Sequence, residues 1–98
     1  MKEIHQLNKL FESRIRLGIL LLLLEHECLD YKQIKEHLEV TDGNLASHIA
    51  SLEKNKIIDV KKQFIRKRPN TSYRLTQTGK AAYISHLDAL NELLKKRV

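Results

Sequence analysis

Six consecutive aliphatic side chains, Ile19 to Leu24, constrain this chain more than any other feature. A helix that is apolar all round lies at the centre of its domain or is shared with a second chain. The run is far short of the ~20 residues needed to cross a bilayer, so it reads as core. Ile15, Ile19, Leu22 and Leu23 continue it at helical spacing, and Ser13 stands where a cap belongs. Upstream, Ile4, Leu7 and Phe11 fall at i, i+3 and i+7, which reads as an amphipathic helix over the first dozen residues. Whether the two segments form one long helix or a kinked pair is left open. With 98 residues, three glycines and one proline, the chain fits a single domain without long linkers.

Beyond the run, the pattern alternates between helix signals and turns. Asp30 is a candidate cap for a helix from Tyr31 to Leu38, with Gln33 at the capping-box position. Glu39-Val40-Thr41 makes a short turn, and Thr41 caps a helix from Asp42 to about Asn55 with Leu45, Ile49 and Leu52 inward. The period then changes. Ile58, Val60, Phe64 and Ile65 sit among lysines in a β-prone stretch, Arg66 to Asn70 supplies turn residues, and Thr71 to Leu75 alternates. Pro69 fits a turn better than a strand interior. Thr76 or Thr78 caps a last helix, where Tyr83, Leu87, Leu90 and Leu94 make a one-sided stripe. The expected fold is mainly α with a small β-hairpin, a winged helix-turn-helix. It divides into an N-terminal helical segment (1–26), the helix-turn-helix (31–55), the wing (57–75) and a C-terminal helix (76–96).

Charge locates the function. The formal net charge is +6. Between Lys54 and Arg74 stand eight basic residues and one acid, Asp59, whereas the remaining ten basic and eleven acidic residues nearly cancel. Excess positive charge gathered in one stretch is the footprint of a polyanion-binding site. The second helix of the pair agrees. At about 100° per residue, Gly43, Ser47, Ala50 and Lys54 fall opposite Leu45, flanked by Asn44, Ala46 and Ser51. Small side chains let a helix sit deep in a major groove, where the second helix of such a pair belongs.

The expected partner is therefore double-stranded DNA. On the recognition helix the candidates are Thr41, Gly43, Asn44, Ser47, Ser51 and Lys54. Asn44 suits an adenine edge, and Thr41 with the free amides at the helix start suits a phosphate. On the wing and backbone side they are Lys32, Lys61, Lys62, Arg66, Lys67 and Arg68, with Arg68 suited to a narrowed minor groove. His48 flanks the core stripe and reads as a half-buried, hydrogen-bonded residue rather than a base reader.

Several stretches are similar to small winged-helix regulators related to the MarR and ArsR families. These are Ser13-Arg14-Ile15-Arg16-Leu17-Gly18-Ile19-Leu20, Leu29-Asp30-Tyr31-Lys32-Gln33-Ile34, Thr41 to Ile49 with Leu52-Glu53, and Thr71 to Lys80. The resemblance covers roughly residues 13 to 90. It implies a homodimeric transcriptional regulator, often a repressor, whose terminal helices make the dimer contact. Ile4, Leu7, Phe11, Tyr83, Leu87, Leu90 and Leu94 are the candidates for that contact, since one small domain cannot readily bury both terminal stripes. The chain lacks the cysteine pair of metal-sensing relatives, and its shortness does not indicate a built-in effector pocket.

Other classes find little support. Cys28 is the only cysteine, so no internal disulfide forms, and His26-Glu27-Cys28 is too small a grouping for a metal site. There is no glycine-rich phosphate loop and no nucleophile–base arrangement with local support, so no enzyme and no cofactor are expected. The N-terminus lacks a signal peptide's apolar stretch, which points to the cytoplasm. The rival reading is a winged helix used for docking protein or RNA without reading DNA sequence.

Overall fold

The computed structural model describes residues 2–95, with side chains from Ile4 onward. Two short 3-10 helices, Lys2–Gln6 and Lys9–Phe11, precede α1 (Arg14–Glu25), β1 (Leu29–Asp30), α2 (Tyr31–Leu38) and α3 (Asp42–Lys54). A hairpin of β2 (Ile58–Ile65) and β3 (Arg68–Leu75) follows, then α4 (Gln77–Lys95). The three strands form one antiparallel sheet in the order β1-β3-β2.

Local hydrogen bonds set the helix boundaries. Ser13 Oγ accepts from the Arg16 amide at 3.3 Å and starts α1. Asp30 and Gln33 form a reciprocal capping box at 2.8 and 2.9 Å. Asp30 also pairs with Ser72 in the sheet, as Leu29 does with Tyr73, so one dipeptide ends a strand and opens a helix. The end of α3 is a Schellman motif. Lys56 lies at φ 60, its amide donates to Glu53, and that of Ile57 donates to Leu52. Both Leu52 and Ile57 are buried, supplying the apolar contact that accompanies this motif.

The run Ile19–Leu24 sits where its composition demands. Ile19, Leu20 and Leu23 are buried against Ile34 of α2, Leu45, Ile49 and Leu52 of α3, and Ile58 of β2. Leu21 and Leu24 remain exposed. Thr76 fastens α4 to the α3–β2 junction. Its amide donates to the Ile57 carbonyl at 3.0 Å, and its hydroxyl accepts from the Gly79 amide at 2.8 Å. Gly79 must be glycine there, because a Cβ would lie 2.1 Å from the Ile57 carbonyl oxygen.

Three sequence expectations change. The first dozen residues are not one amphipathic helix, because Asn8 interrupts them. Its side chain accepts from the Leu10 amide, and its own amide donates to His86 Nδ1 of α4 at 3.0 Å. Pro69 is not in the turn but is the second residue of β3. A two-residue turn makes its flanking pair, Ile65 and Arg68, the hydrogen-bonded one, so Phe64 and Pro69 form a non-hydrogen-bonded pair. The proline nitrogen therefore faces away from β2, where no ladder bond is lost.

The third correction concerns the terminal stripes. Phe11 and Tyr83, expected to contact a second chain, are 4% and 3% exposed and pack edge to face, with centroids 5.6 Å apart. They close the protomer's own core. Leu7 is half-buried, whereas Ile4, Leu87, Leu90 and Leu94 are exposed. The radius of gyration, 15.1 Å, exceeds the about 12.6 Å of a compact domain of this length.

Candidate nucleic-acid interface

The α2–α3 pair is held at its turn by contacts that no local pattern announces. Glu39 ends α2 in a left-handed conformation, φ 53, and Thr41 Oγ1 accepts from the Asn44 amide at 3.4 Å to open α3. Two α2 side chains then reach Asp42. The Tyr31 hydroxyl donates to its carbonyl at 3.0 Å, and Lys35 Nζ lies 2.9 Å from its carboxylate. Burial first, then the Asp42 charge, pushes the Tyr31 hydroxyl above its ordinary value. Tyr31 and Lys35 are positioning residues that the sequence reading missed. Their partner lies on the next helix, beyond the turn, so no period within one element links them.

The outward face of α3 carries Gly43, Asn44, Ala46, Ser47, Ala50 and Lys54, all exposed. Thr41 is exposed as well, although its oxygen is already engaged as the cap, and Asp42 puts a negative charge at the helix start. That leaves less room for a phosphate than the sequence suggested. Ser51 is half-buried at the margin of the face, and its carbonyl accepts from the Asn55 side chain. Ser47 Oγ donates to the Asn44 carbonyl at 3.1 Å. Gly43 has nothing within 4 Å of where a Cβ would stand. No packing within the protomer requires its smallness.

Behind that face, His48 is half-buried and its Nδ1 accepts from Arg16 Nε at 2.9 Å. Desolvation, then the Arg16 charge, holds its pKa below the usual histidine value. A neutral imidazole engaged with α1 anchors α3 from within.

The β2–β3 ribbon projects beyond β1, which reaches only Tyr73 and Ser72. Its tip is the two-residue turn Arg66-Lys67, with φ 52 and 65. Both central residues at positive φ define a type I′ turn, normally built from Asn or Gly. Lys61, Lys62, Arg66, Lys67 and Arg68 are exposed, and among the described residues none of them makes an ion pair. The window's one acid, Asp59, is spent on Arg74 at 3.4 Å. Lys32 is exposed on the first turn of α2.

A capped helix pair, a bare outer helix face and a cationic ribbon define a winged helix-turn-helix of the nucleic-acid-binding class. The chain belongs to the winged helix DNA-binding domain family, whose pattern matches residues 15–94. An uncharacterized protein of Methanocaldococcus jannaschii is 34% identical over 87 residues, covering 89% of this chain and 95% of that relative. Among solved structures, a transcriptional regulator homologue from Pyrococcus horikoshii OT3 superposes with TM-score 0.85 at 32% identity. That match covers 98% of this chain and 97% of the other. The transcriptional repressor BigR from Xylella fastidiosa shares the fold, with TM-score 0.68 at 20% identity over 98% and 87% of the two chains. The family is one of DNA-binding regulators, not enzymes. Among the described residues no group of metal-ligating side chains occurs, and no helix is long and apolar enough to cross a membrane.

Proposed function

We propose that this chain is a sequence-specific regulator of transcription that binds duplex DNA as a homodimer in the cytoplasm and acts as a repressor. The observation that carries the reading is Gly43. Glycine stabilises a helix less than alanine does, most so in the interior and less so in the first turn, where Gly43 lies. No steric reason inside the protomer offsets that cost. Close approach of a groove wall to the first turn of α3 supplies one. On this reading Asn44 and Ser47 meet base edges, and Ser51 lies at the edge of that surface. Thr41, Lys54, Lys32, Lys61 and Lys62 meet the backbone, as do Arg66, Lys67 and Arg68 of the wing.

The dimer is supported by α4. Ile84, Leu87, Leu90 and Leu94 are exposed along it, with Ile4 of the first 3-10 helix also uncovered. Ile84 is an addition to the residues expected from the stripe, and Phe11 and Tyr83 drop out. Joined through this helix, two copies would present recognition helices to half-sites about 34–36 Å apart on a pseudo-palindrome. Repression is the sign borne by the Xylella fastidiosa protein of the same fold.

Selection of bound fragments from random duplex DNA tests the reading, followed by titration of the selected duplex against salt. Neutralising ~8 phosphates gives a slope of log K on log[salt] near −7. Asn44→Ala should relax preference at one base position by about 1–3 kcal/mol, whereas Arg66→Ala with Arg68→Ala should weaken all duplexes. A slope near zero, with no preference for duplex over single strand, would favour protein or RNA docking instead.

A further inference from the structure

Phosphate contacts leave one feature of the wing without a role. Phe64 is 76% exposed, more than any other large apolar side chain described, and Ile65 beside it is also uncovered. Alternate residues of a ribbon share a face. Phe64 therefore stands with Lys62, its cross-strand neighbour Pro69, and Thr71. Residues of this parity nearer the body, Ile58 and Val60, pair with Leu75 and Tyr73 at the core side of the sheet. Phe64 and Pro69 project past that core and border a shallow hollow of about 240 Å³.

Charge decides what covers them. Lys61, Lys62, Arg66, Lys67 and Arg68 lie within the same few residues, so a second copy of the wing would bring five cations against five. A polyanion is the complementary occupant. A minor groove is about 6 Å wide, and two paired strands stand ~4.8 Å apart before side chains are added. The ribbon's tip therefore enters only where the groove opens. Apolar side chains such as Phe and Pro are suited to that work, since they can wedge against a base step and part it.

On the strength of the duplex-binding reading, we infer that Phe64, backed by Pro69, is an apolar wedge that packs into an opened minor groove flanking the site of α3. It selects easily deformed pyrimidine–purine steps. Insertion of Arg68 alone has the opposite consequence, because stiff A-tracts have the narrow, strongly negative groove that attracts arginine.

Two polymers of equal charge and composition separate these cases: alternating poly(dA-dT), rich in TA steps, and the poly(dA)·poly(dT) tract, which has none. The wild type should bind the alternating polymer about tenfold more tightly, and Phe64→Ala should reduce that preference to within about twofold. Phe64→Leu should retain part of it. The salt slope should not change in either variant, since no phosphate contact is lost. The side chain is solvent-exposed, so both variants should melt as the wild type does. Equal binding to the two polymers, a preference for the tract, or a preference that survives Phe64→Ala overturns the wedge. In each of those cases salt-dependent binding leaves the duplex-binding reading standing. Absence of salt-dependent binding to either polymer removes that reading and the wedge together. A wild-type self-association in DNA-free solution that Phe64→Ala abolishes would assign the side chain to a second copy and also overturn the wedge.

Discussion

The wing turn should trade stability for contact, and the double variant Arg66→Asn with Lys67→Gly measures both sides of the trade. Each residue holds a left-handed conformation, at φ 52 and 65. A side chain with a Cβ costs roughly 1–2 kcal/mol there, whereas Asn and Gly adopt the region readily. Glycine at 67 relieves that cost in full and asparagine at 66, which keeps its Cβ, only in part, about 1.5–3 kcal/mol together. The extra freedom of glycine in the unfolded chain takes back about 0.5–1 kcal/mol. A net gain of about 1–2 kcal/mol is expected. For a domain of this size that raises Tm by roughly 5–10 °C, read by circular dichroism at one fixed protein concentration, because a dimer's Tm depends on it. The same variant removes two cations per protomer, four per dimer. At about 0.9 per phosphate contact the salt slope should fall from about −7 to about −3.5, measured by fluorescence anisotropy on a selected duplex. A lower Tm would refute the account of a strained turn. A higher Tm with an undiminished slope would mean that the tip does not touch DNA.

Three further variants probe the scaffold. Gly79→Ala forces a Cβ to 2.1 Å from the Ile57 carbonyl oxygen, so α4 must shift and stability should drop by about 2–3 kcal/mol in urea denaturation; an unaltered midpoint would show that the junction yields freely. His48 has a lowered pKa in the fold, owing to desolvation and then Arg16. Its contribution to stability is whole above the unfolded value near ~6.5 and is lost as pH falls below that value. His48→Gln, which can still accept from Arg16, should flatten the decline in Tm between neutral and mildly acidic pH, and a decline as steep as the wild type's would place the acid sensitivity elsewhere. Leu87→Asp with Leu90→Asp should halve the sedimenting mass in analytical ultracentrifugation, and an unchanged mass would exclude this stretch of α4 from the interface.

Which parts of the molecule were legible in the chain follows from how far apart the interacting residues stand. The caps at Ser13, Asp30 and Thr41 could be read because each side chain bonds to an amide three residues on. The inward stripe Leu45, Ile49 and Leu52 was legible for the same reason, through helical period. β1 was not, because two residues carry no period and Leu29–Asp30 becomes a strand only when Tyr73 and Ser72 arrive beside it. The wing's turn was misplaced because Arg66 and Lys67 are not turn formers by composition, while Pro69 is. Only the pairing of Ile65 with Arg68 fixes where the chain reverses.

The terminal stripes show the deeper limit. An apolar stripe states that something covers it and is silent on whether the cover is the same chain. Tyr83 and Leu87 are one helical turn apart and indistinguishable by pattern, yet Phe11 closes over the first while the second stays exposed. The divide is set by where the N-terminal segment is tied down, and that tie is the Asn8 amide on His86 Nδ1, 78 residues away in sequence. On the outer face of α4, Ile84, Leu87, Leu90 and Leu94 are left uncovered in the protomer. Leu93 stays buried on the inner side of the same stretch, so the proposed dimer face, from Ile84 to Leu94, runs alongside the protomer's own packing rather than beyond it. Losing the Asn8–His86 hydrogen bond by His86→Ala should loosen the N-terminal segment and blur the boundary between core and interface.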